Sequence, residues 1–200
     1  MKFFTAAALI VSQMALTSTV RAEIVSAYSD LNTEKDCSTF AAAPEGEGDW
    51  ANMICAGYKG YPVVLYYGDA RENVFYGFPP GGDLAPTWES FSAFNSSGPK
   101  VEWRIDKGKG VEIPFATIHR RVVSDPENPE KKIEVLVVAK VGQILERDGC
   151  VVGLVLASGN PKANDTARKI ADEQARTFAC GADERVIVGE PMPEFSRQEQ

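Results

Sequence analysis

Apolar residues recur along this chain mainly in short runs bounded by Gly, Pro and Asp, which is the pattern of strands. Runs rich in Val, Ile, Tyr and Phe predict strands at about 50–57, 62–68 and 72–78, with turns at Lys59-Gly60 and Gly68-Asp69-Ala70-Arg71. Three sequential strands joined by short turns make an antiparallel meander. Pro79-Pro80-Gly81-Gly82-Asp83 then opens a loop. Thr87 as cap, Glu89 in the first turn and Ser97-Gly98-Pro99 as stop predict a short helix over 87–95. Strands follow at about 100–105, 111–123, 133–142 and 150–157, and the 133–142 run is the most apolar and so the most central.

A second periodicity takes over after residue 160. Asn160-Pro161 reads as an N-cap followed by proline in the first helical position. Ala163, Ala167, Ile170, Ala171, Ala175, Phe178 and Ala179 lay one apolar stripe along a helix, with Gly181 placed for its C-cap. The expected fold is α+β. It has a largely antiparallel sheet of about seven strands, a long C-terminal helix packed on one face, and one short helix between strands. Residues 23–189 are expected to form a single domain, with 23–36 as an irregular entry segment or a short strand or helical turn, and 190–200 read as a frayed, flexible tail.

Residues 1–22 change the picture, because Lys2, the apolar run 3–11 and Val20-Arg21-Ala22 have the layout of a cleaved secretory signal peptide. Polar residues at 5, 12, 13, 17 and 18 interrupt the apolar stretch, which argues against a membrane anchor. Cleavage near Ala22 removes Lys2 and Arg21 and no carboxylate, taking the net charge from −7 to −9. An acidic product without a Lys/Arg cluster is ill suited to nucleic acid or anionic membranes, and no second apolar span follows. The four cysteines, Cys37, Cys55, Cys150 and Cys180, all follow the leader, and an even count after export implies disulfides. Three pairings are possible. Cys37–Cys55 with Cys150–Cys180 is preferred because each joins elements close in sequence.

Catalytic patterns are missing: there is no Gly-x-Ser-x-Gly elbow, phosphate loop, dinucleotide fingerprint, His-Glu-x-x-His or Cys-x-x-Cys. With one histidine, a multi-histidine metal site is excluded, and no cofactor is indicated. His119 is the residue that titrates near neutrality, and strand alternation puts Phe115, Thr117, His119 and Arg121 on one face. His119 with Arg121 makes a small cationic spot for an acidic ligand, or simply a half-exposed strand near a sheet edge with solvated basic residues. Tyr58, Tyr61, Tyr66, Tyr67, Phe75, Tyr76 and Phe78 crowd the meander, and alternation places large aromatics on both of its faces. That surplus reads either as core pairing or as a platform, built around Tyr58 and Tyr61, for a sugar, peptide or apolar ligand.

Tyr28-Ser29-Asp30-Leu31, Cys55 to Val63, Val101-Glu102-Trp103-Arg104, Pro114 to Ile118, Val135 to Val138 and the segment Ala167 to Asp172 followed by Cys180 together resemble a set of small exported proteins of alphaproteobacteria with no assigned function. The resemblance implies a bacterial, periplasmic setting and carries over no catalytic or binding residue. The functional expectation is a non-enzymatic periplasmic module binding a protein, peptide or glycan. The alternatives are an inhibitor or immunity protein of a cell-wall hydrolase, and a small hydrolase using His119.

Overall fold

The computed structural model describes residues 23–81 and 87–198, so the leader expected at 1–22 lies outside the described residues. Twelve strands among them form three sheets. The largest has six strands in the order β1-β7-β8-β9-β10-β11, formed by β1 Ile24–Asp30, β7 Asn95–Asp106, β8 Ile113–Ser124, β9 Lys132–Lys140, β10 Val151–Leu156 and β11 Val186–Val188. A four-stranded antiparallel sheet holds β2 Cys37–Ala42, β3 Trp50–Tyr58, β4 Tyr61–Gly68 and β5 Arg71–Tyr76 in sequence order. β6 Trp88–Phe91 pairs with β12 Phe195–Gln198. The chain is therefore mostly β, and the α+β expectation of one seven-stranded sheet under a long helix is wrong. Its single α-helix among the described residues, α1 Ala163–Gln174, is twelve residues long.

Three local expectations fail for physical reasons. The helix expected over 87–95 is strand β6, because Asn73 captures the segment in extended form: its amide donates to Thr87 O and its Oδ1 accepts from Glu89 N. The expected tail supplies β12, because Phe195 packs edge-on against Phe91 with ring centres 4.9 Å apart. The C-terminal helix starts later and stops earlier than its apolar stripe suggests. Asn160 Oδ1 accepts the amide of Lys162 in a turn ahead of the helix, and beyond Gln174 the chain folds down so that Phe178 stays buried. Cys180 then lies in a turn, six residues past the helix end, with Gly181 beside it.

Strand alternation distributes the core over both faces of the six-stranded sheet. On one face Ala116, Ile118, Leu136, Val138 and Val152 meet Ala163, Ala167, Ile170 and Ala171 of α1. Gly153 is required there, since a Cβ on it would lie 3.0 Å from the Ile170 side chain. Ion pairs extend this contact: Arg104 grips Asp172 with two hydrogen bonds of 2.8 and 2.7 Å, and Arg168 reaches Glu102 at 2.7 Å. On the other face Val101, Trp103, Ile105 and Val141 pack on Cys55, Val63 and Tyr76 of the smaller sheet. Val123, Val135 and Leu154 continue that layer beneath Phe91 of β6 and Phe195 of β12. The parallel pair β10–β11 is joined through α1, as parallel neighbours need a long crossover.

Both preferred disulfides are present, Cys37–Cys55 and Cys150–Cys180. They fit an oxidising, extracytoplasmic environment. In the loop-entropy description each contributes about 3–4 kcal/mol. No helix among the described residues is long and apolar enough to cross a membrane.

The meander turns carry a correctable strain. Lys59-Gly60 has φ of 46° and 88°, and Asp69-Ala70 has φ of 50° and 56°. Alanine has no side-chain compensation for a left-handed conformation, whereas glycine adopts it freely. Ala70→Gly should therefore raise the unfolding free energy by about 0.5–1 kcal/mol, read by urea melts. A lower stability for the variant would refute the strain.

Candidate functional site

β8 brings Thr117, His119 and Arg121 to one face as alternation requires, but that face is interior. β8 lies between β7 and β9 and under the smaller sheet, so His119 is 0% and Arg121 5% exposed. The half-exposed edge strand expected from the sequence is not formed, and neither is a solvent-facing cationic spot. Phe115 leaves the row because it is the extra residue of a bulge opposite Arg104 and Ile105; it packs beneath Arg176, whose guanidinium lies 3.6 Å from the ring centre.

Both nitrogens of His119 are engaged. The hydroxyl of Tyr76 donates to Nδ1 and Nε2–H donates to the carbonyl of Gly98, each over 2.7 Å, an assignment that follows from the carbonyl accepting only. Burial pulls the His119 pKa down to about 4, with the Gly98 bond opposing and the Arg121 charge adding to the shift. Burial likewise raises that of Tyr76. Arg121 donates to the Glu72 carbonyl at 2.8 Å and to Asn95 Oδ1, with the Glu72 carboxylate at 3.4 Å. His119 is thus a neutral inter-sheet connector, with no free nitrogen to offer a substrate.

Tyr58 and Tyr61 close the β3–β4 hairpin and are half-buried walls of the same layer. The Tyr58 hydroxyl donates to Glu112 at 2.9 Å, and Glu112 is held down to about 2 by hydrogen bonds from Lys59 and then Tyr58. The Tyr61 hydroxyl donates to Gln143 at 3.0 Å, and its ring meets Phe78. Rings run inward from Tyr58 to Trp103, Tyr76 and His119 at successive centre distances of 6.2, 6.2 and 6.0 Å. These residues are brought together, then, but inside the protein.

The exposed aromatic surface is elsewhere, on the outer face of the smaller sheet. Pairing of Trp50 with Gly68, Asn52 with Tyr66 and Ile54 with Val64 puts those side chains on one face of the sheet, where Val64 is buried and Trp50 and Ile54 are exposed. Trp50 is 41%, Ile54 45% and Phe40 56% exposed. Phe40, the extra residue of a bulge in β2, meets Tyr66 edge-on at 6.4 Å. Glu45, Glu47 and Asp49 form an exposed acidic loop at one end of this face, and from Asp36 to Tyr58 the sequence contains no Lys or Arg. Sequence reasoning read 62–68 correctly as two-faced but missed Phe40 and Trp50. The run without a cation was the available signal.

Two of the concavities on the surface carry polar side chains of interest. One of about 740 Å³ lies at the β1–β2 loop, bordered by Asp30, Asn32, Asp36, Glu72 and Ser97. Asn32 and Asp36 are spent on the loop itself, with Asn32 Oδ1 accepting from Glu34 and Lys35 and Asp36 accepting from Asn32, while Asp30 pairs with Lys100 and Glu72 accepts from Ser97 N. The other, of about 560 Å³, lies between β6, β10, β11 and β12 and contains Glu89, Arg185 and Arg197 over an apolar lining. Among the described residues no group of three or more His, Cys, Asp or Glu is placed to hold a metal.

The chain matches no family model, no curated protein and no solved structure. The surface chemistry alone therefore carries the functional argument.

The depressed His119 pKa couples folding to pH. The unfolded histidine takes up a proton below about pH 6.5 while the folded one resists it to about 4. Its contribution is complete above pH 6.5 and is lost as the pH falls through 4, a swing of about 3 kcal/mol. Urea unfolding at pH 7 and pH 4 should show a stability loss smaller by about that amount in His119→Asn than in the native chain. Equal losses would mean that His119 is not a buried neutral base.

Proposed function

We propose that this chain is an exported, non-enzymatic binding module that holds a basic protein segment on the outer face of β2–β4. The observation that carries the reading is the exposed side chains of Phe40, Trp50 and Ile54, with half-buried Tyr66 among them, beside Glu45, Glu47 and Asp49, in a stretch that has no Lys or Arg from Asp36 to Tyr58. Apolar side chains of a partner gain by covering the rings, and its Lys or Arg residues gain from the acidic loop. β2 is the edge of its sheet, so its outward amides and carbonyls are open to an added strand. The leader-like residues 1–22, the resemblance to exported alphaproteobacterial proteins and the disulfides support a periplasmic location. A second reading, an inhibitor or immunity protein of a basic cell-wall hydrolase, is favoured by the same acidic rim, which suits charge-steered association.

An alternating Lys–Val peptide is the simplest probe. Titrated into the ¹⁵N-labelled domain 23–200, it should shift amides of residues 37–54 and bind at least about tenfold more weakly when salt is raised from 50 to 500 mM. Phe40→Ser with Ile54→Ser should abolish the response and leave the melting temperature within a few degrees. If a Glu–Val peptide binds as well, or the shifts fall outside this face, the reading fails.

A further inference from the structure

The cavity between β6, β10, β11 and β12 has a different chemistry and shares no residue with the aromatic face. At its base the Glu89 side chain, 8% exposed, accepts the amide of Val151 at 2.7 Å on Oε2 and the guanidinium of Arg185 at 2.8 Å on Oε1. Arg197 reaches only the oxygen that Arg185 already holds, at 3.8 Å, beyond hydrogen-bond length. Its Nε is buried and has no partner among the described residues. Two guanidiniums thus share one carboxylate, and both keep part of their surface on the cavity, with side chains 21% and 24% exposed. Arg197 therefore has a shared carboxylate nearby but no hydrogen bond to it. The walls beside it are apolar, formed by Leu154, Phe178, Met192 and Phe195. The mouth has the opposite sign, with Glu184 and Glu194 exposed, while Asp183 is occupied by the Ala179 amide at 2.9 Å.

We propose that this cavity binds a small zwitterion with an apolar body, of the class of free apolar amino acids and apolar dipeptides. The ligand carboxylate accepts from Arg197 and Arg185 in the geometry that favours guanidinium forks. The apolar side chain lies against Phe178 and Met192, and the ammonium faces Glu184 and Glu194. A volume of about 560 Å³ admits one such molecule, within the range usual for small-ligand sites. A plain fatty carboxylate lacks the ammonium that the acidic mouth favours, and an amine without a carboxylate leaves the arginines unanswered. Each half of the cavity thus selects against one class of competitor.

The probe is leucyl-phenylalanine, titrated calorimetrically into the oxidised domain 23–200, with its C-terminal amide and its N-acetyl derivative as controls. The free dipeptide should bind, and both derivatives should bind about tenfold or more weakly, since each removes a charge-assisted bond. Arg197→Gln should weaken the free dipeptide by a similar factor and abolish the advantage over the amide. Glu184→Gln with Glu194→Gln, both on the exposed mouth, should abolish the advantage over the N-acetyl form and leave folding intact. No binding at about 10 mM, or equal binding of all three compounds, overturns the assignment. Amide shifts at residues 37–54 in place of 181–197 would overturn it as well, and would leave the basic-segment reading to be judged by its own peptide.

Discussion

The burial of β8 on both faces is the constraint on which the rest of the molecule depends. Its outward row must be apolar to seat α1, and Ala116 and Ile118 satisfy that. Its inward row is Thr117, His119 and Arg121, which no apolar layer can cover without loss. The four-stranded sheet answers His119 and the Arg121 Nη2 group by presenting Tyr76 and Glu72 from β5, while Asn95 and Gly98 come from β7; Thr117 Oγ1 and Arg121 Nε keep no partner among the described residues. These bonds have directions, unlike the surrounding apolar contacts, so they fix the register in which one sheet lies on the other. A shift of β5 by one residue would turn Tyr76 outward and leave His119 Nδ1 without a donor.

The same constraint is why the proposed binding surfaces lie at the periphery. The groups with the most obvious chemistry, the single histidine and its neighbouring arginine, are consumed in holding the sheets together. What remains for binding is whatever the two-sheet packing leaves uncovered. On the smaller sheet that is the outer half of β2–β4, since Phe75, on the same face, is buried and would crowd any side chain at Gly142 or Gly149. At the far end of the larger sheet it is the gap between β6–β12 and β10–β11, where Glu89 must serve a backbone amide and two arginines.

The meander was legible because its information is local. Alternation over 50–78 and two short turns define strands and partners without reference to the rest of the chain. The disulfide pairing followed from sequence proximity. Reading failed where a distant residue decides the outcome. Thr87 and Glu89 resemble a helix start, but Asn73 and Phe195 hold that segment as a strand. Ala175 and Phe178 keep the helical spacing and remain buried, yet the helix has already ended, because the same residues can be covered by a turn. His119 looked half-exposed because neighbouring Arg120 and Arg121 are charged, and nothing within a few residues tells that a second sheet will cover His119 and Arg121 while Arg120 stays on the other face. For the same reason Phe40 and Trp50 were visible as residues but not as a surface, since the bulge at Phe40 and the pairing of Trp50 with Gly68 exist only in the assembled sheet.

Each staple stands next to one of the surfaces left open. Cys37 is directly paired with Cys55 across β2 and β3, so the bridge ties the edge strand that carries Phe40 to its neighbour. Cys180 precedes Gly181 and Cys150 precedes Val151, both at the wall of the arginine cavity. An edge strand held by a single neighbour and a turn after a short helix are the segments that local opening would release first. A covalent link there removes freedom that a ligand would otherwise have to suppress on binding. The inner partner of each bridge, Cys55 or Cys150, is itself buried in a core cluster, so the link anchors a peripheral segment to the core. If the two open surfaces are the binding sites proposed above, the disulfides preorganise both, since each fixes a peripheral segment against the core.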